Sequence, residues 1–153
     1  NILPIMHKLF ESIRTKEYWG IREYYRLGKL THYVADAFTF PHNKAFKGNL
    51  REHCKYEKML HERFCHPLPQ HHRAEKPQKD IQSVKDIEIL HQEYISKAEG
   101  CETDYSYILQ VTGMLLQGVL RDVRHIDWAL VVQMPMLNKR LFRICLILIL
   151  LFV

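Results

Sequence analysis

The stretch that decides the fold runs from residue 27 to residue 64 and reads LGKLTHYVADAFTFPHNKAFKGNLREHCKYEKMLHERF. Apolar side chains recur in its first part at intervals of three and four residues, at Leu27, Leu30, Val34 and Phe38. This spacing predicts an amphipathic helix over residues 27–40. Pro41 should stop that helix, because a proline disfavours helical backbone in the residue before it. A polar loop over residues 42–49 and a further helix over residues 50–64 are expected to follow.

The sequence on either side of this stretch is also helical in pattern. Residues 9–26 predict a helix with Gly20 as a weak point between two segments, and residues 81–120 predict two helices separated at Gly100. Residues 66–80 contain three prolines and many charges, which is typical of a linker or exposed loop. No stretch alternates convincingly as a strand would. The sequence therefore predicts an all-α fold, a multi-helix single domain.

The charge of the chain is unevenly distributed. At 153 residues the length suits one domain, and the formal net charge is +5. Residues 1–80 hold 15 Lys and Arg against 9 Asp and Glu, whereas residues 81–153 hold 7 against 8. A basic half attracts phosphate, nucleic acid or anionic lipid headgroups without choosing among them, and it also suits an ordinary solvated face.

The last thirteen residues form an unusual tail. Leu141–Val153 is almost wholly apolar, with Arg143 as its one charge, and it is shorter than the roughly 20 residues of a membrane-spanning helix. A buried C-terminal helix, the start of a membrane segment and non-native sequence all remain open. We place the helical domain at 1–140 and the tail of uncertain status at 141–153. Because Asn1 stands where a start methionine is usual, we expect the domain to be truncated at its N-terminus.

The four cysteines indicate a reducing compartment. They stand at positions 54, 65, 101 and 145, without a C-x-x-C pair, and are interpreted as free thiols. No signal peptide is visible. A cytoplasmic location is therefore slightly favoured over secretion, although the localisation itself stays open.

The residues that carry chemistry lie between positions 32 and 57. His32 and Asp36 are four residues apart, and so are His53 and Glu57, which places each pair on one face of a helix. His42 follows the helix-stopping proline and can fold back over the helix end. The whole pattern is H-x3-D-x5-H-x10-H-x3-E. It predicts three imidazoles and two carboxylates where two helices face each other.

This set of side chains suits zinc or a similar divalent metal. Imidazole and carboxylate are both good zinc ligands, and pairs four residues apart on a helix preorganise them. Each pair alone would be an ordinary surface contact. Five ligands exceed one tetrahedral site, so the set favours two or more metals with a bridging carboxylate.

The stretch LGKLTHYVADAFTFPHN, followed by HCKYE, resembles the zinc-dependent phospholipase C family of bacteria. That family carries H-x3-D-x5-H with a proline near the second histidine, then H-x3-E on the following helix. Its fold is all-α and is related to the single-strand-specific nucleases. The nuclease motif generally ends in H-x3-D and carries a Gly-Gly-Asn loop. Because this chain has Glu57 and lacks that loop, the phospholipase branch is favoured.

The resemblance implies a role for each matching residue. His32 and Asp36 would bind a first zinc, with Asp36 also reaching a further metal, and the second zinc would be held by His42, His53 and Glu57. Two or three zinc ions are expected in all. The family draws more ligands from upstream, among them an early histidine and a catalytic aspartate.

Two upstream positions qualify this inference. His7 is the candidate for an upstream histidine ligand, and an ordinary surface histidine is the alternative. No aspartate precedes Asp36, so the catalytic residue of the family has no counterpart here.

The resemblance implies a zinc-dependent phosphodiester hydrolase, in which metal-activated water attacks a phospholipid phosphodiester. Two alternatives stay open: a metal-binding but inactive relative or fragment, and an enzyme similar to a single-strand nuclease. The expected partner is a phospholipid or another phosphodiester, with a membrane surface also open. Nucleic acid is disfavoured as a partner, and the oligomeric state is left undetermined.

Overall fold

A computed structural model describes residues 2–65, 79–97, 100–121 and 123 of the chain. Within these ranges it contains five α-helices, one short 3₁₀ turn and no strand, which confirms the all-α prediction. The helices are α1 (Leu3–Arg14), α2 (Ile21–Ala37), α3 (Leu50–Cys65), α4 (Val84–Lys97) and α5 (Cys101–Leu120), and the 3₁₀ turn (Phe40–His42) lies between α2 and α3.

Helix α5 is the centre of the fold. It packs against α1, α2, α3 and α4, and α1 and α2 also pack against each other. Its side chains at Ile108, Val111, Leu115 and Val119, three and four residues apart, are at most 1% exposed. Such an apolar face, extended on α5 by several further buried residues, stabilises a helix mainly through tertiary packing.

A continuous helix over residues 9–26 is wrong, whereas the division into two segments at Gly20 is confirmed: the chain leaves α1 after Arg14 and starts α2 at Ile21. Trp19 anchors the connection: its ring is buried edge-on against Tyr24. Gly20 is the N-cap of α2, with an extended backbone and an amide that donates to Oε2 of Glu23 at 3.0 Å. A glutamate at the third helical position that accepts from the N-cap amide is one half of a capping box and marks a helix start. The weak point predicted at the glycine is therefore a helix start.

The second predicted helix, over residues 27–40, is also displaced. Leu27 lies inside α2, and α2 ends at Ala37, before the proline. The side-chain amide of Asn43 donates to the carbonyl of Thr39 at 2.9 Å and to that of Ala37 at 3.4 Å. Carbonyls at a helix end need such partners. Pro41 therefore lies within the 3₁₀ turn rather than stopping the helix directly.

The helix predicted over residues 50–64 is confirmed as α3, which is one residue longer. It begins with a reciprocal cap: Oδ1 of Asn49 accepts from the amide of Glu52 at 3.1 Å, and Oε2 of Glu52 accepts from the amide of Asn49 at 2.8 Å. Asparagine followed three residues later by glutamate is a sequence signature of a helix start. This cap fixes where α3 leaves the preceding loop.

The prediction of two helices separated at Gly100 is confirmed, with α4 beginning at Val84. Gly100 has a φ of 139°, a conformation that side chains with a Cβ rarely adopt. The predicted linker lies outside the described residues over 66–78, and so does the tail at 141–153. The domain boundary at residue 140 consequently stays a prediction.

The described residues also bear on membrane spans and on the cysteines. None of the helices there is long and apolar enough to cross a membrane. Cys54, Cys65 and Cys101 are free thiols, in agreement with the sequence prediction, whereas Cys145 lies outside the described ranges.

Gly118 allows a close approach between α5 and the segment that precedes α4. The amide of Ile81 donates to the carbonyl of Met114 at 3.1 Å, which draws this segment onto the helix. A Cβ at position 118 would overlap the carbonyl oxygen of Ile81. The glycine is therefore required by space rather than by backbone conformation.

We expect Gly118→Ala to lower the free energy of unfolding by about 1–3 kcal/mol, the usual cost of overpacking. This expected change in the free energy of unfolding is opposite in sign to the effect of helix propensity, which favours alanine over glycine by about 1 kcal/mol. Urea unfolding measures the difference. Gln110→Ala, at an exposed position of the same helix, is the control and should stay within about 0.5 kcal/mol of the parent. A Gly118→Ala variant as stable as the parent would contradict the close approach.

Candidate metal centre

Three elements bring the five motif residues together. His32 and Asp36 lie on the last turns of α2, His42 ends the 3₁₀ turn, and His53 and Glu57 lie on the first half of α3. Each helical pair lies on one face of its own helix, as the four-residue spacing predicts. The 3₁₀ turn places the middle histidine between them.

The five side chains form one continuous chain of contacts, in which each carboxylate lies between two imidazoles. Oδ2 of Asp36 is 3.4 Å from Nε2 of His32, and Oδ1 of Asp36 is 3.6 Å from Nδ1 of His42. Oε1 of Glu57 is 3.1 Å from Nε2 of His42 and 3.1 Å from Nε2 of His53. His42 is thus the link between the α2 pair and the α3 pair.

One half of this chain is compact enough to hold a metal ion. Ligand atoms of His42, His53 and Glu57 all lie within 4.8 Å of one another, and the two rings are 5.0 Å apart between centroids. Two imidazoles and one carboxylate are a common protein ligand set for zinc, which leaves a fourth position open for water or substrate. The donor set and its spacing therefore fit zinc.

The electrostatics of Glu57 suit a ligand that stays ionised. Partial burial raises the pKa of its carboxyl group, but hydrogen bonds from His42 and His53 outweigh that effect, so the pKa lies below its ordinary value. The carboxylate form dominates at neutral pH. An anion with two imidazole partners is ready to coordinate a cation.

His7 lies on the exposed side of α1. In the described part of the chain, no hydrogen bond or ion pair joins it to the five motif residues. Its role as a sixth ligand stays a prediction. The other histidine of α3, His61, is exposed, and its Nε2 lies 3.6 Å from Sγ of Cys65.

Asn43 and His91 support the turn that carries His42, and sequence reasoning missed them. Nε2 of His91 and Oδ1 of Asn43 are 3.0 Å apart. The side-chain Nδ2 of Asn43 donates to the carbonyls of Ala37 and Thr39, at and just beyond the end of α2. His91 lies 48 residues from Asn43 along the chain, so only the tertiary fold shows the pair. The Pro-His-Asn sequence after a helix was the one available signal.

A buried carboxylate on α5 also reaches this region. Asp104 is 0% exposed, and Oδ2 accepts from the amide of Phe40 at 2.8 Å and from the hydroxyl of Tyr56 at 2.7 Å. Oδ1 accepts from the hydroxyl of Tyr94 at 2.7 Å. An isolated aspartate in a helical segment gives no sequence signal for such a network.

Aromatic side chains border the cluster on one side. Phe46 lies edge-on to the ring of His53, with 6.2 Å between centroids, and edge-on to Phe40, with 5.8 Å between centroids. Phe40 in turn contacts Tyr56, at 6.4 Å. The candidate metal ligands therefore lie beside an apolar surface.

The family model described as zinc dependent phospholipase C matches residues 8–101, more than half of the chain. The chain belongs to this family. The matched range contains all five residues of the cluster. No curated protein and no solved structure matches the chain. Family membership confirms the predicted resemblance, and with it the general kind of function and the dependence on zinc.

We expect Glu57→Gln to weaken zinc binding by more than the roughly 10–100-fold that loss of an outer-shell partner costs. The substitution keeps the size of the side chain and removes the anionic oxygen that both histidines contact. Competition with a chelator of known affinity measures the change. Glu62→Gln, on the same helix but paired with Lys58 at 3.8 Å, is the matched control and should bind as the parent does. Equal affinities for the two variants would exclude Glu57 as a ligand.

A pH-dependent loss of stability is expected from His91. Burial lowers the pKa of His91 below its ordinary value of 6.5, although the carbonyl of Ala37 opposes the shift. The unfolded chain then binds more protons than the native state as pH falls through about 6.5, so stability declines toward acid.

His91→Gln removes this titration and keeps a neutral donor for Asn43. For the metal-free protein, we expect the free energy of unfolding to fall less steeply with decreasing pH in the variant, by up to about 1.4 kcal/mol per pH unit. Urea unfolding from about pH 7.5 to about pH 5 measures the slopes. The exposed His61→Gln should keep the parent slope. Parallel curves for all three proteins would show that His91 does not titrate differently on folding.

Proposed function

We propose that this chain hydrolyses the phosphodiester of a phospholipid with the help of zinc, releasing diacylglycerol and a phosphorylated headgroup. The observation that carries the proposal is the continuous chain of five side chains, His32, Asp36, His42, Glu57 and His53, in a member of a zinc-dependent phospholipase C family. Two of its ligand pairs come from different helices, so folding assembles them into one site.

The contacts support two neighbouring metal positions among these five side chains. His42, His53 and Glu57 would hold one zinc, since their ligand atoms already lie within 4.8 Å of one another. His32 and Asp36 would hold another, and Asp36 faces both groups because its two oxygens contact different histidines. Two or three ions in all is our proposal for the loaded protein.

Bound zinc supplies activation of water near neutral pH and electrostatic stabilisation of charge on phosphoryl oxygens. The protein residues fix the orientation of the site. Asp36 and Glu57 each contact two imidazoles, so each carboxylate lies where it could share a metal ion with those rings.

The surroundings of the cluster favour a substrate with both an anionic and an apolar part. The edge of Phe46 beside His53 offers an apolar surface next to the ligands. Lys44 and Lys47 are exposed in the loop that joins the 3₁₀ turn to α3. A phospholipid presents a phosphodiester and acyl chains within reach of each other, which suits such a pair of features.

The test is release of phosphorylated headgroup from phosphatidylcholine vesicles by the full chain. We expect activity with zinc, loss of activity with a chelator, and recovery when zinc is restored. His53→Ala should lower the rate by at least about 100-fold, the upper end of what even an indirect ligand partner is worth. His61→Ala, an exposed histidine two turns further along α3, should keep the parent rate.

Three results would overturn the proposal, each in its own way. Stoichiometric zinc without turnover would identify a metal-binding but inactive relative. Cleavage of single-stranded DNA or RNA without release of headgroup would identify a nuclease. Absence of zinc binding by the parent would remove the metal centre itself.

A further inference from the structure

The buried carboxylate of Asp104 has a place in the fold that packing alone does not explain. It is 0% exposed, although ionisable side chains are seldom buried without strong partners. Its donors come from three different elements: the amide of Phe40 in the 3₁₀ turn, the hydroxyl of Tyr56 on α3 and the hydroxyl of Tyr94 on α4. Each of the three distances is 2.7 or 2.8 Å.

Two of these donors stand next to residues of the metal centre. Phe40 lies two positions before His42 in the same 3₁₀ turn, and Tyr56 directly precedes Glu57 on α3. Both bond to the same oxygen, Oδ2. That single atom therefore bridges the turn that carries His42 and the helix that carries Glu57. Those two side chains are 3.1 Å apart between Nε2 and Oε1.

The third donor belongs to the core, where its ring also lies 6.0 Å from that of His91 between centroids. Tyr94 bonds to the other oxygen, Oδ1, and its ring packs in the core with Phe38 and Tyr107, at 5.3 Å between centroids in each case. Burial, and then the neighbouring Asp104 carboxylate, raise the pKa values of both Tyr56 and Tyr94. Both hydroxyls consequently stay protonated and remain donors over the usable pH range.

We propose that Asp104 is a positioning residue of the metal centre, which acts through Oδ2 by tying the His42 turn to α3 beside Glu57. The proposal rests on the metal site of the proposed function. Asp104 is well placed for this positioning role, because it lies in the first turn of α5, where the helix dipole stabilises an anion. Through it the central helix of the fold determines the separation of zinc ligands that come from two other elements.

Two tyrosine variants test this role better than a change of the aspartate, whose loss from the core is expected to unfold the protein. Tyr56→Phe and Tyr94→Phe each delete one hydroxyl that donates to Asp104 at 2.7 Å. Both are expected to lower the urea midpoint, because both weaken the same buried network. Only Tyr56→Phe removes the link to α3.

The first readout is affinity for zinc, and for cobalt as a spectroscopic probe. We expect Tyr56→Phe to weaken both by about 10-fold or more and to alter the visible absorption of bound cobalt, as outer-shell partners do. Tyr94→Phe should bind within about 3-fold of the parent with an unchanged cobalt spectrum. Equal loss in the two variants would show a purely structural network, and no loss in Tyr56→Phe would overturn the proposal.

The second readout needs no metal, so that failure of the proposed function is recognised separately. Imidazole nitrogen shifts of His42 and His53 in the metal-free protein report their contacts with Glu57. Tyr56→Phe should change them and Tyr94→Phe should not. A parent that binds no zinc would overturn the proposed function, and these shifts would still decide whether Asp104 positions the cluster. Unchanged shifts in both variants would refute the positioning role.

Discussion

The carboxylate of Asp104 is the constraint on which the site region depends. It is buried without a cation among its hydrogen-bond donors, and three short hydrogen bonds satisfy its two oxygens. A buried anion that loses a donor is costly, so the turn and the two helices that supply these donors are held in one arrangement. The arrangement of the site therefore depends on a buried group that solvent does not reach.

Helix α5 makes this arrangement possible because it contacts the other four helices of the described residues. Its buried face supplies the core, and its first turn supplies the carboxylate. Gly118, near the opposite end, lets the segment before α4 lie directly on the helix. One helix thus organises both the packing and the polar network, and the ligand-bearing elements are arranged around it.

Those parts of the fold and of the candidate site that depend on local sequence signals could be predicted from the sequence. The four-residue spacing of His32 with Asp36, and of His53 with Glu57, placed each pair on a helix face, and the structure joins both pairs through His42. Helix α3 was predicted to within a residue, and its start is determined locally by the reciprocal cap of Asn49 and Glu52.

The errors and omissions have physical causes as well. Apolar periodicity continues from α1 into α2, so the break between them depends on Trp19 and the cap at Gly20, which act through tertiary contact and a side-chain hydrogen bond. The supports of the site were missed because their partners are distant in sequence. Asp104 lies 64 residues from Phe40, and His91 lies 48 residues from Asn43. The spacing of residues within a single helix carries no information about pairs so far apart in the sequence.

The accessibility of the ligand cluster has a consequence for how the protein would acquire its metal. The side chains of His42 and His53 are each 28% exposed and that of Glu57 is 49% exposed, while the Asp104 carboxylate is 0% exposed. The candidate ligands thus lie at the surface, and the carboxylate proposed to position them lies in the core. Loading and removal of metal can then proceed from solvent without opening the core. Occupancy would follow the free zinc concentration around the folded protein, and zinc supply rather than folding would limit how much of it is loaded.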